Sequence, residues 1–288
     1  MMNSLRVAAL QMGPASQTAQ AVLERMLKLI EDAGRGGAQI VCFPELAFTP
    51  YFPSRPLNTE DREKYFEELP SERIEPLLTL ARVYRLGIIL PYAEKAAGRF
   101  YNSALIIDGE GHICGKYRKI HLPLSQPDSR GKVRNYEDQY FRSGDLGIPV
   151  FSIDGVKIGV QICYDRHFPE GFRVLALQGA EVVFLPTNSP SYGLQERRRL
   201  WEALLTVRAY ENGIFLVVAA KAGVENGIEY LGGSSIVSPR GDFLAQAKSN
   251  NDEIVLAELN LDLVLEARKD LPFQLVRRPE CYQLLCKA

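Results

Sequence analysis

Apolar residues follow two different spacings along this chain. Continuous apolar runs predict strands, and the run at residues 40–43 predicts a strand buried on both faces, as parallel strands are. The other predicted strands lie at residues 5–10, 88–92, 100–108, 113–118, 156–162, 182–185, 214–220, 234–238, 243–246 and 254–260, with one more that begins at residue 150. Elsewhere apolar residues recur every three or four positions. This second spacing predicts a helix that begins at Thr18 or Gln20, and further helices at residues 74–84, 170–178 and 196–212.

Strands and helices therefore alternate along most of the chain, which predicts sheets covered by helices. A single doubly wound sheet and two stacked sheets with helices outside both fit this order. No repeat, low-complexity tract or Gly/Ser linker interrupts it, so we expect one domain over residues 1–288, with residues 261–288 forming an arm. The charged segment at residues 124–147 has little periodicity and predicts a long functional loop.

The composition limits the partners and the compartment. The chain has 288 residues, of which 46% are hydrophobic and 24% charged, and its formal net charge is -1. This balance provides no basic field for nucleic acid or for an anionic membrane, and it favours a small-molecule partner. Five scattered cysteines argue against a disulfide framework. Because no apolar run reaches about 18 residues, we expect a cytoplasmic protein.

Three chemically complementary side chains follow predicted strands. Glu45 comes after residues 40–43, Lys119 after the strand that starts at residue 113, and Cys163 after the apolar run that ends at Ile162. A carboxylate can take the proton of a thiol and return it to a leaving amine. A lysine, together with the backbone N–H of Tyr164, can stabilise the negative oxygen of a tetrahedral intermediate. Such a set serves acyl transfer at a carbon–nitrogen bond.

Each of these residues also has a purely structural interpretation. Cys163 fits a buried small hydrophobe, Glu45 a turn cap, and Lys119 part of a solvated basic face. Asp165 and Arg166 could form an ion pair at the turn. His167, four residues after Cys163, makes a Cys–His nucleophile the main catalytic rival.

No metal or cofactor is expected from the motifs. The other two histidines, His112 and His121, lie in predicted turn and loop positions, so a metal site lacks ligands. The chain has no G-x-G-x-x-G, P-loop or G-x-S-x-G pattern, and this gives no support to nucleotide cofactors or to serine hydrolysis.

Three segments together resemble the signature of the nitrilase superfamily, the carbon–nitrogen hydrolases. They are FPELAFTPYFP around Glu45, GKYRKIHLP around Lys119 and GVQICYDRHFPE around Cys163, and the resemblance extends to about residue 260. It implies a four-layer α-β-β-α sandwich of two stacked mixed sheets flanked by helices, with Glu45, Lys119 and Cys163 as a catalytic triad. It also implies a second glutamate, matched by Glu137 in NYEDQYFRSGD, and pairing into a homodimer or larger homo-oligomer partly through C-terminal arms.

Within the superfamily the segments are most similar to the N-carbamoyl amino acid amidohydrolases. In the D-amino acid members of that branch, Asn-Asp-Arg-Arg follows the cysteine, and the arginines are thought to hold the substrate carboxylate. Here Arg166 matches the first arginine, His167 replaces the second, and Tyr164 replaces the asparagine. Asn188 matches a position that helps to bind substrate.

The resemblance therefore implies hydrolysis of the carbamoyl group of an N-carbamoyl amino acid or amine through a thioester. The substrate is a small amide or ureido compound, and no cofactor is required. An ω-amidase or small aliphatic amidase with the same triad is the alternative. A catalytically silent scaffold or binding protein with this fold is a third class.

Overall fold

The structure is a computed structural model that describes residues 4–15, 18–129, 131–192 and 195–286. The ends of the predicted 1–288 domain and of the 261–288 arm, at residues 1–3 and 287–288, lie outside the described residues. The strands are Ser4–Gln11 (β1), Ile40–Cys42 (β2), Gly87–Ala96 (β3), Arg99–Ile107 (β4), Ile113–Arg118 (β5), Phe151–Ile153 (β6), Val156–Val160 (β7), Val182–Thr187 (β8), Phe215–Ala220 (β9), Ala222–Glu225 (β10), Ile228–Leu231 (β11), Ser235–Val237 (β12), Phe243–Gln246 (β13) and Glu253–Asn260 (β14).

The α-helices are Ala19–Arg35 (α1), Thr59–Glu63 (α2), Glu75–Tyr84 (α3), Glu137–Tyr140 (α4), Pro169–Leu177 (α5), Gln195–Asn212 (α6) and Asp262–Asp270 (α7). Short 3₁₀ helices span Phe52–Ser54, Cys163–His167, Pro279–Cys281 and Gln283–Cys286. The α-helices within the described ranges include none that is long and apolar enough to cross a membrane.

Most of the strands form two mixed six-stranded sheets. Their orders are β14-β1-β2-β3-β4-β5 and β13-β12-β9-β8-β7-β6. In each sheet three neighbouring strands run parallel, β1, β2 and β3 in one and β7, β8 and β9 in the other, while the outer pairs are antiparallel. A parallel β-bridge between Met12, just after β1, and Lys221, just after β9, links the two sheets.

The alternation of side chains along β1 and β2 shows why the sheets stack. Val7 and Ile40 point into the apolar layer between the two sheets, while Ala8 and Val41 point outward toward α1 and α3. The second sheet is covered in the same way by α5 and α6. Each central strand is therefore buried on both faces. The stacked-sheet arrangement implied by the resemblance is confirmed, and the single doubly wound sheet is excluded.

Local signals explain where α1 begins and ends. The side chain of Thr18 accepts a hydrogen bond from the backbone N–H of Ala21 at 3.2 Å, as an N-cap residue does. The helix ends at Arg35, and Gly37 follows with a φ of +78°, a conformation that favours glycine. The predicted start near Thr18 is thus confirmed, with Thr18 as the cap.

Three short elements were missed by the periodicity. They are α2, α4 and the hairpin of β10 and β11, in which each helix or strand has five residues or fewer. The nine-residue α7, in the segment predicted only as an arm, was missed as well. The hairpin turn contains Asn226 and Gly227, both with positive φ (50° and 75°), and Asn-Gly is the sequence signal for such a two-residue turn. The polar segment predicted as a long loop at residues 124–147 contains α4, and Arg130 in it lies outside the described residues.

The segment predicted to form a C-terminal arm has two different parts. In α7, Val264 and Ala267 are buried against the body of the protein. Beyond α7, Leu275 and Leu284 are 85% and 81% exposed.

Candidate active site

Cys163 lies on a strained turn at the end of the β7 segment. It is the first residue of the 3₁₀ helix Cys163–His167, and its φ is +46°, a region that residues with side chains rarely adopt. The turn is held by Asp165, whose carboxylate accepts the backbone N–H of Ile162 at 2.9 Å. Backbone strain of this kind persists where the surrounding structure fixes it, often at functional sites.

The Asp165 carboxylate also ties this turn to the segment that carries Lys119. It accepts the Tyr117 hydroxyl at 2.8 Å, the backbone N–H of His121 at 3.0 Å, and lies 2.8 Å from His121 Nδ1. The ion pair between Asp165 and Arg166, considered from the sequence, is not formed. Asp165 is fully buried among these closer donors, which leave it no free oxygen for Arg166.

Lys119 and Glu45 form an ion pair in the interior. Lys119 follows β5, Glu45 follows β2 by three residues, and both side chains are fully buried. Lys119 Nζ donates to Glu45 Oε1 at 2.8 Å. The same oxygen accepts Asn102 Nδ2 at 2.8 Å, and Glu45 Oε2 accepts the backbone N–H of Asn188 at 3.0 Å. Glu45 is thus fixed from three directions.

Glu137 is the second carboxylate of the group. It is the first residue of α4 and is nearly fully buried. Its Oε2 accepts Lys119 Nζ at 2.6 Å, and its Oε1 accepts the Tyr51 hydroxyl at 2.5 Å. Asn135 fixes the start of this short helix, because its Oδ1 accepts the backbone N–H of Glu137 at 2.8 Å. Lys119 therefore bridges two carboxylates.

The thiol and Glu137 line one cavity of about 350 Å³. All four residues expected to bind substrate also line it: Tyr164, Arg166, His167 and Asn188. Glu45 and Lys119 lie directly behind this wall, bonded to Asn188 and Glu137. Other lining residues, not anticipated from the sequence, include Tyr51, Ser189, Tyr192, Arg197 and Trp201. The structure thus brings all eight predicted residues to one place.

Burial and neighbouring charges shift the protonation of this group. Burial disfavours the Lys119 ammonium, but the charges of Glu137 and Glu45 outweigh it and raise the pKa of Lys119. Burial, and then the charge of Glu45, raise the pKa of Glu137 despite Lys119. Burial and Glu45 also raise the pKa of the Cys163 thiol, although Lys119 and Arg166 oppose the shift. These influences together favour the protonated form of the thiol.

Arg166 contacts the cysteine itself. Its Nη1 donates to the Cys163 backbone oxygen at 2.7 Å and lies 3.5 Å from Sγ, and its guanidinium stacks 4.9 Å from the centre of the Trp201 ring. The buried Nε of Arg166 has no hydrogen-bond partner within the described part of the chain. Arg166 therefore combines a positioning contact with a free donor.

His167 forms no hydrogen bond to Cys163 within the described residues, where the polar contacts of Sγ are Ser189 and Arg166, so the geometry does not support a Cys–His nucleophile. Burial, and then the charges of Arg166, Arg197 and Arg208, lower its pKa to about 4. Its ring packs edge-on against Tyr164, with the ring centres 5.2 Å apart. His121 is bound to Asp165 instead of to the cysteine. No group of three His, Cys, Asp or Glu residues that could hold a metal ion occurs in residues 4–15, 18–129, 131–192 and 195–286.

Two residues that hold the carboxylates, Asn102 and Tyr51, stand out in the sequence, although the hydrophobic periodicity does not predict their role. Asn102 is a polar residue inside the apolar β4, and Tyr51 lies within the segment FPELAFTPYFP. Both are buried, and they donate hydrogen bonds to Glu45 and Glu137, respectively. Nothing in the neighbouring sequence marks Tyr192 and Arg197, in contrast. They line the cavity because of the way α6 and the loop before it pack.

The fold and this site define a class: a four-layer sandwich with a thiol, a lysine and two carboxylates around one small cavity. Residues 6–269 match the carbon-nitrogen hydrolase family. The chain belongs to this family of amidohydrolases, within the nitrilase superfamily.

Several known proteins are similar over nearly the whole chain. A nitrilase of Pyrococcus abyssi is 36% identical over 92% of this chain and 93% of its own length. An N-carbamoylputrescine amidase of Arabidopsis thaliana is 32% identical, covering 90% and 87%, and an omega-amidase of Xenopus tropicalis is 32% identical, covering 91% of each. A carbon-nitrogen hydrolase from Helicobacter pylori G27 superposes with a TM-score of 0.89, with 28% identity and 99% of both chains covered.

Proposed function

We propose that the protein hydrolyses the carbamoyl group of an N-carbamoyl amino acid or amine, with Cys163 as nucleophile and Glu45, Lys119 and Glu137 as its catalytic partners. One observation supports this more than any other. The ammonium of Lys119 contacts Glu45 and Glu137 at 2.8 and 2.6 Å, and this buried group adjoins the cavity that Cys163 lines. A purely structural ion pair needs neither a second buried carboxylate nor a thiol beside it.

The proposed reaction begins with proton transfer from Cys163 to Glu45. The thiolate attacks the ureido carbon, and Lys119 with the Tyr164 backbone N–H stabilises the oxyanion. Glu45 then protonates the departing nitrogen, and the Cys163 thioester is attacked by a water that Glu45 activates, with Glu137 nearby. The overall balance for a ureido substrate is one water consumed and one amine, one carbon dioxide and one ammonia released.

The choice of substrate rests on charge and on family. Arg166 lines the cavity, and its Nε has no partner within the described residues, so a substrate carboxylate is a suitable counterion for this guanidinium. Relatives at 32% identity include both a carbamoyl amidase and an omega-amidase. The second candidate is therefore an ω-amide of a dicarboxylic acid, which carries the same carboxylate and passes through the same thioester.

The decisive experiment combines one substitution with a substrate panel. Purified protein is assayed for ammonia release with N-carbamoyl-D- and L-amino acids, 3-ureidopropionate, N-carbamoylputrescine and small ω-amides. Cys163→Ala should lose turnover by at least about 10³-fold, while its circular dichroism spectrum stays that of the wild type. Cys114→Ala, at an exposed cysteine, is the matched control and should remain active. Turnover by Cys163→Ala on a good substrate would disprove the proposal.

We also propose that the part of the arm beyond α7 packs on a second copy of the chain. The support is its exposed apolar side chains, among them Leu275, Val276, Leu284 and Leu285. Surface of this kind on a single chain is a candidate for a protein interface. Truncation after residue 271 should reduce the number of chains per particle, which light scattering measures as the particle mass divided by the chain mass. An unchanged number of chains would count against the role of the arm.

A further inference from the structure

The charged groups around the cavity are not balanced. Glu137 is the one carboxylate among its described lining residues, and both of its oxygens are already bound, by Lys119 and Tyr51. Two guanidinium groups, those of Arg166 and Arg197, line the same cavity. The described part of the wall therefore offers no free anion for a ligand ammonium, but two cations for a ligand anion.

Arg197 is held toward the cavity by its packing. It extends from the first turns of α6, and its guanidinium carbon lies 4.8 Å from the centre of the Tyr192 ring. The other cation on that ring, Arg134 at 4.6 Å, is paired with Asp128 at 2.5 Å. In the described ranges no carboxylate lies within ion-pair distance of Arg197. Stacking on an aromatic ring orients a guanidinium while leaving its N–H groups free to bind a planar anion.

The position of Arg197 differs from that of Arg166. Arg166 is anchored to the backbone oxygen of Cys163, so its donors lie beside the reacting sulfur. Arg197 comes from α6, the helix that covers the second sheet, and it shares the cavity with Cys163 but forms no hydrogen bond to it in the described part of the chain. Burial, opposed by Tyr192 and reinforced by the charge of Arg166, lowers the pKa of Arg197. An anion bound at Arg197 would offset this repulsion.

We infer that Arg197, presented on Tyr192, is a specificity-determining residue that binds the carboxylate of the substrate while its amide or ureido carbon lies at Cys163. The inference rests on the proposed hydrolysis and extends it to the substrate class. The substrates are short acids with a terminal amide or ureido group. Ureido compounds that end in an amine are poor substrates, because their ammonium would face two arginines with no counterion.

The size and remaining walls of the cavity agree with this class. About 350 Å³ is at the small end of the range for small-molecule sites. Trp201, Leu204 and Leu231 form apolar walls beside the two arginines. They suit a short hydrocarbon chain between the reacting group and the carboxylate. A charged group in the middle of the ligand would find no partner there.

The test compares matched substrates on matched variants. Wild type, Arg197→Gln, Arg197→Lys and Arg199→Gln are assayed with 3-ureidopropionate, its uncharged methyl ester and N-carbamoylputrescine. Arg199 lies on the same helix, is exposed and does not line the cavity, so Arg199→Gln controls for general loss of charge. Arg197→Gln should raise KM for the acid about 10- to 100-fold with little change in kcat, since one charge-assisted contact is lost. Arg197→Lys should restore part of the affinity.

Several outcomes would overturn the inference. One is a wild type that cleaves the ester or the amine as well as the acid. Another is an Arg197→Gln variant that loses the acid and the ester equally, since that result indicates a structural role. If none of these compounds is turned over, calorimetric binding of 3-ureidopropionate to the Cys163→Ala protein is measured instead. Equal affinity of Arg197→Gln and Arg199→Gln backgrounds then rejects the role of Arg197.

These failures differ from failure of the proposed hydrolysis. If Cys163→Ala stays active, or no amide or ureido compound in the larger panel releases ammonia, the reaction itself is wrong. If Cys163→Ala is inactive and the wild type is active but indifferent to the carboxylate, the reaction stands and the role of Arg197 is wrong.

Discussion

Lys119 and Lys221 are both buried lysines paired with carboxylates, and their surroundings differ in one charge. Lys119 bridges Glu45 and Glu137, whereas Lys221 binds the two oxygens of Glu225 alone, at 2.8 and 2.7 Å. The first group carries one positive and two negative charges when ionised. The second is a neutral pair.

This difference in charge shifts the pKa values of the two lysines in opposite directions. For both lysines burial is the largest influence, and it disfavours the charged form. Two carboxylates outweigh burial at Lys119 and raise its pKa, while one carboxylate does not at Lys221, whose pKa is lowered. The surplus negative charge at Lys119 also contributes to the raised pKa of Glu137. Because the Lys119 group has one more carboxylate than ammonium, one of its carboxyl groups can gain or lose a proton more readily. The proposed proton transfers need such a group.

The Lys221 pair has a structural task that a neutral pair can perform. Glu225 Oε1 accepts the backbone N–H of Tyr51 at 2.7 Å, and Oε2 accepts that of Ala15 at 2.5 Å. The pair therefore fixes the backbone of Tyr51, whose hydroxyl donates to Glu137. It supports the cavity from behind without lining it.

The largest effect that would sharpen the comparison is expected for Lys119→Met. Removing the proposed oxyanion donor should lower kcat/KM by about 10³-fold, at the upper end for one such donor. The two carboxylates would also face each other without a cation, so one of them should take up a proton. Steady-state ammonia release measures the effect.

The control for this variant is Lys64→Met, at an exposed lysine, which should retain wild-type turnover. A Lys119→Met protein that is folded by circular dichroism and fully active would contradict the catalytic assignment. It would make the two lysines equivalent.

A different kind of loss is expected at the second lysine. Lys221→Met leaves the Glu225 carboxylate buried and uncompensated, which should cost about 3–5 kcal/mol of folding free energy. The double variant Lys221→Met/Glu225→Gln should recover most of this loss, because an amide oxygen can still accept the N–H of Tyr51 or Ala15. Urea unfolding measures both, and kcat/KM of the folded fraction should fall far less than in Lys119→Met.

The distinction between the two lysines fails if Lys221→Met affects turnover instead of stability. A Lys221→Met protein with unchanged stability and no turnover would place Lys221 in the catalytic machinery. A double variant no more stable than the single one would show that the charge of Glu225 is not the source of the cost.

The sequence predicts the positions of the catalytic candidates better than their contacts. Long apolar runs fix β2 and β7, so Glu45 and Cys163 are correctly expected just beyond strand ends. Contacts depend on residues far apart in the chain. Asp165 looks like a partner for the adjacent Arg166, yet it binds Tyr117 and His121, more than 40 residues earlier.

The helix that carries Glu137 illustrates the other limit. Only four residues long, α4 is too short to show a helical period. It is held by tertiary contacts instead, since the Tyr140 hydroxyl donates to the Arg55 backbone oxygen at 2.7 Å and accepts the Leu57 N–H at 2.6 Å. The same holds for Arg197, whose relation to the cavity depends on how α6 packs. Pattern identifies the elements, and packing decides what they present to the site.

The smallest expected effect tests the charges around the thiol. Because burial and Glu45 raise the pKa of Cys163, alkylation by iodoacetamide should accelerate only toward alkaline pH, above the ordinary thiol value. Glu45→Gln removes a negative charge that disfavours the thiolate, so the midpoint of the alkylation profile should move down by about one pH unit. Mass spectrometry of the peptide containing Cys163 separates its reaction from that of the exposed cysteines.

Glu225→Gln, at the carboxylate of the neutral pair, serves as the matched control and should leave the midpoint in place. A shift as large in Glu225→Gln as in Glu45→Gln would mean that the thiol senses both buried groups alike, and the distinction between them would fail.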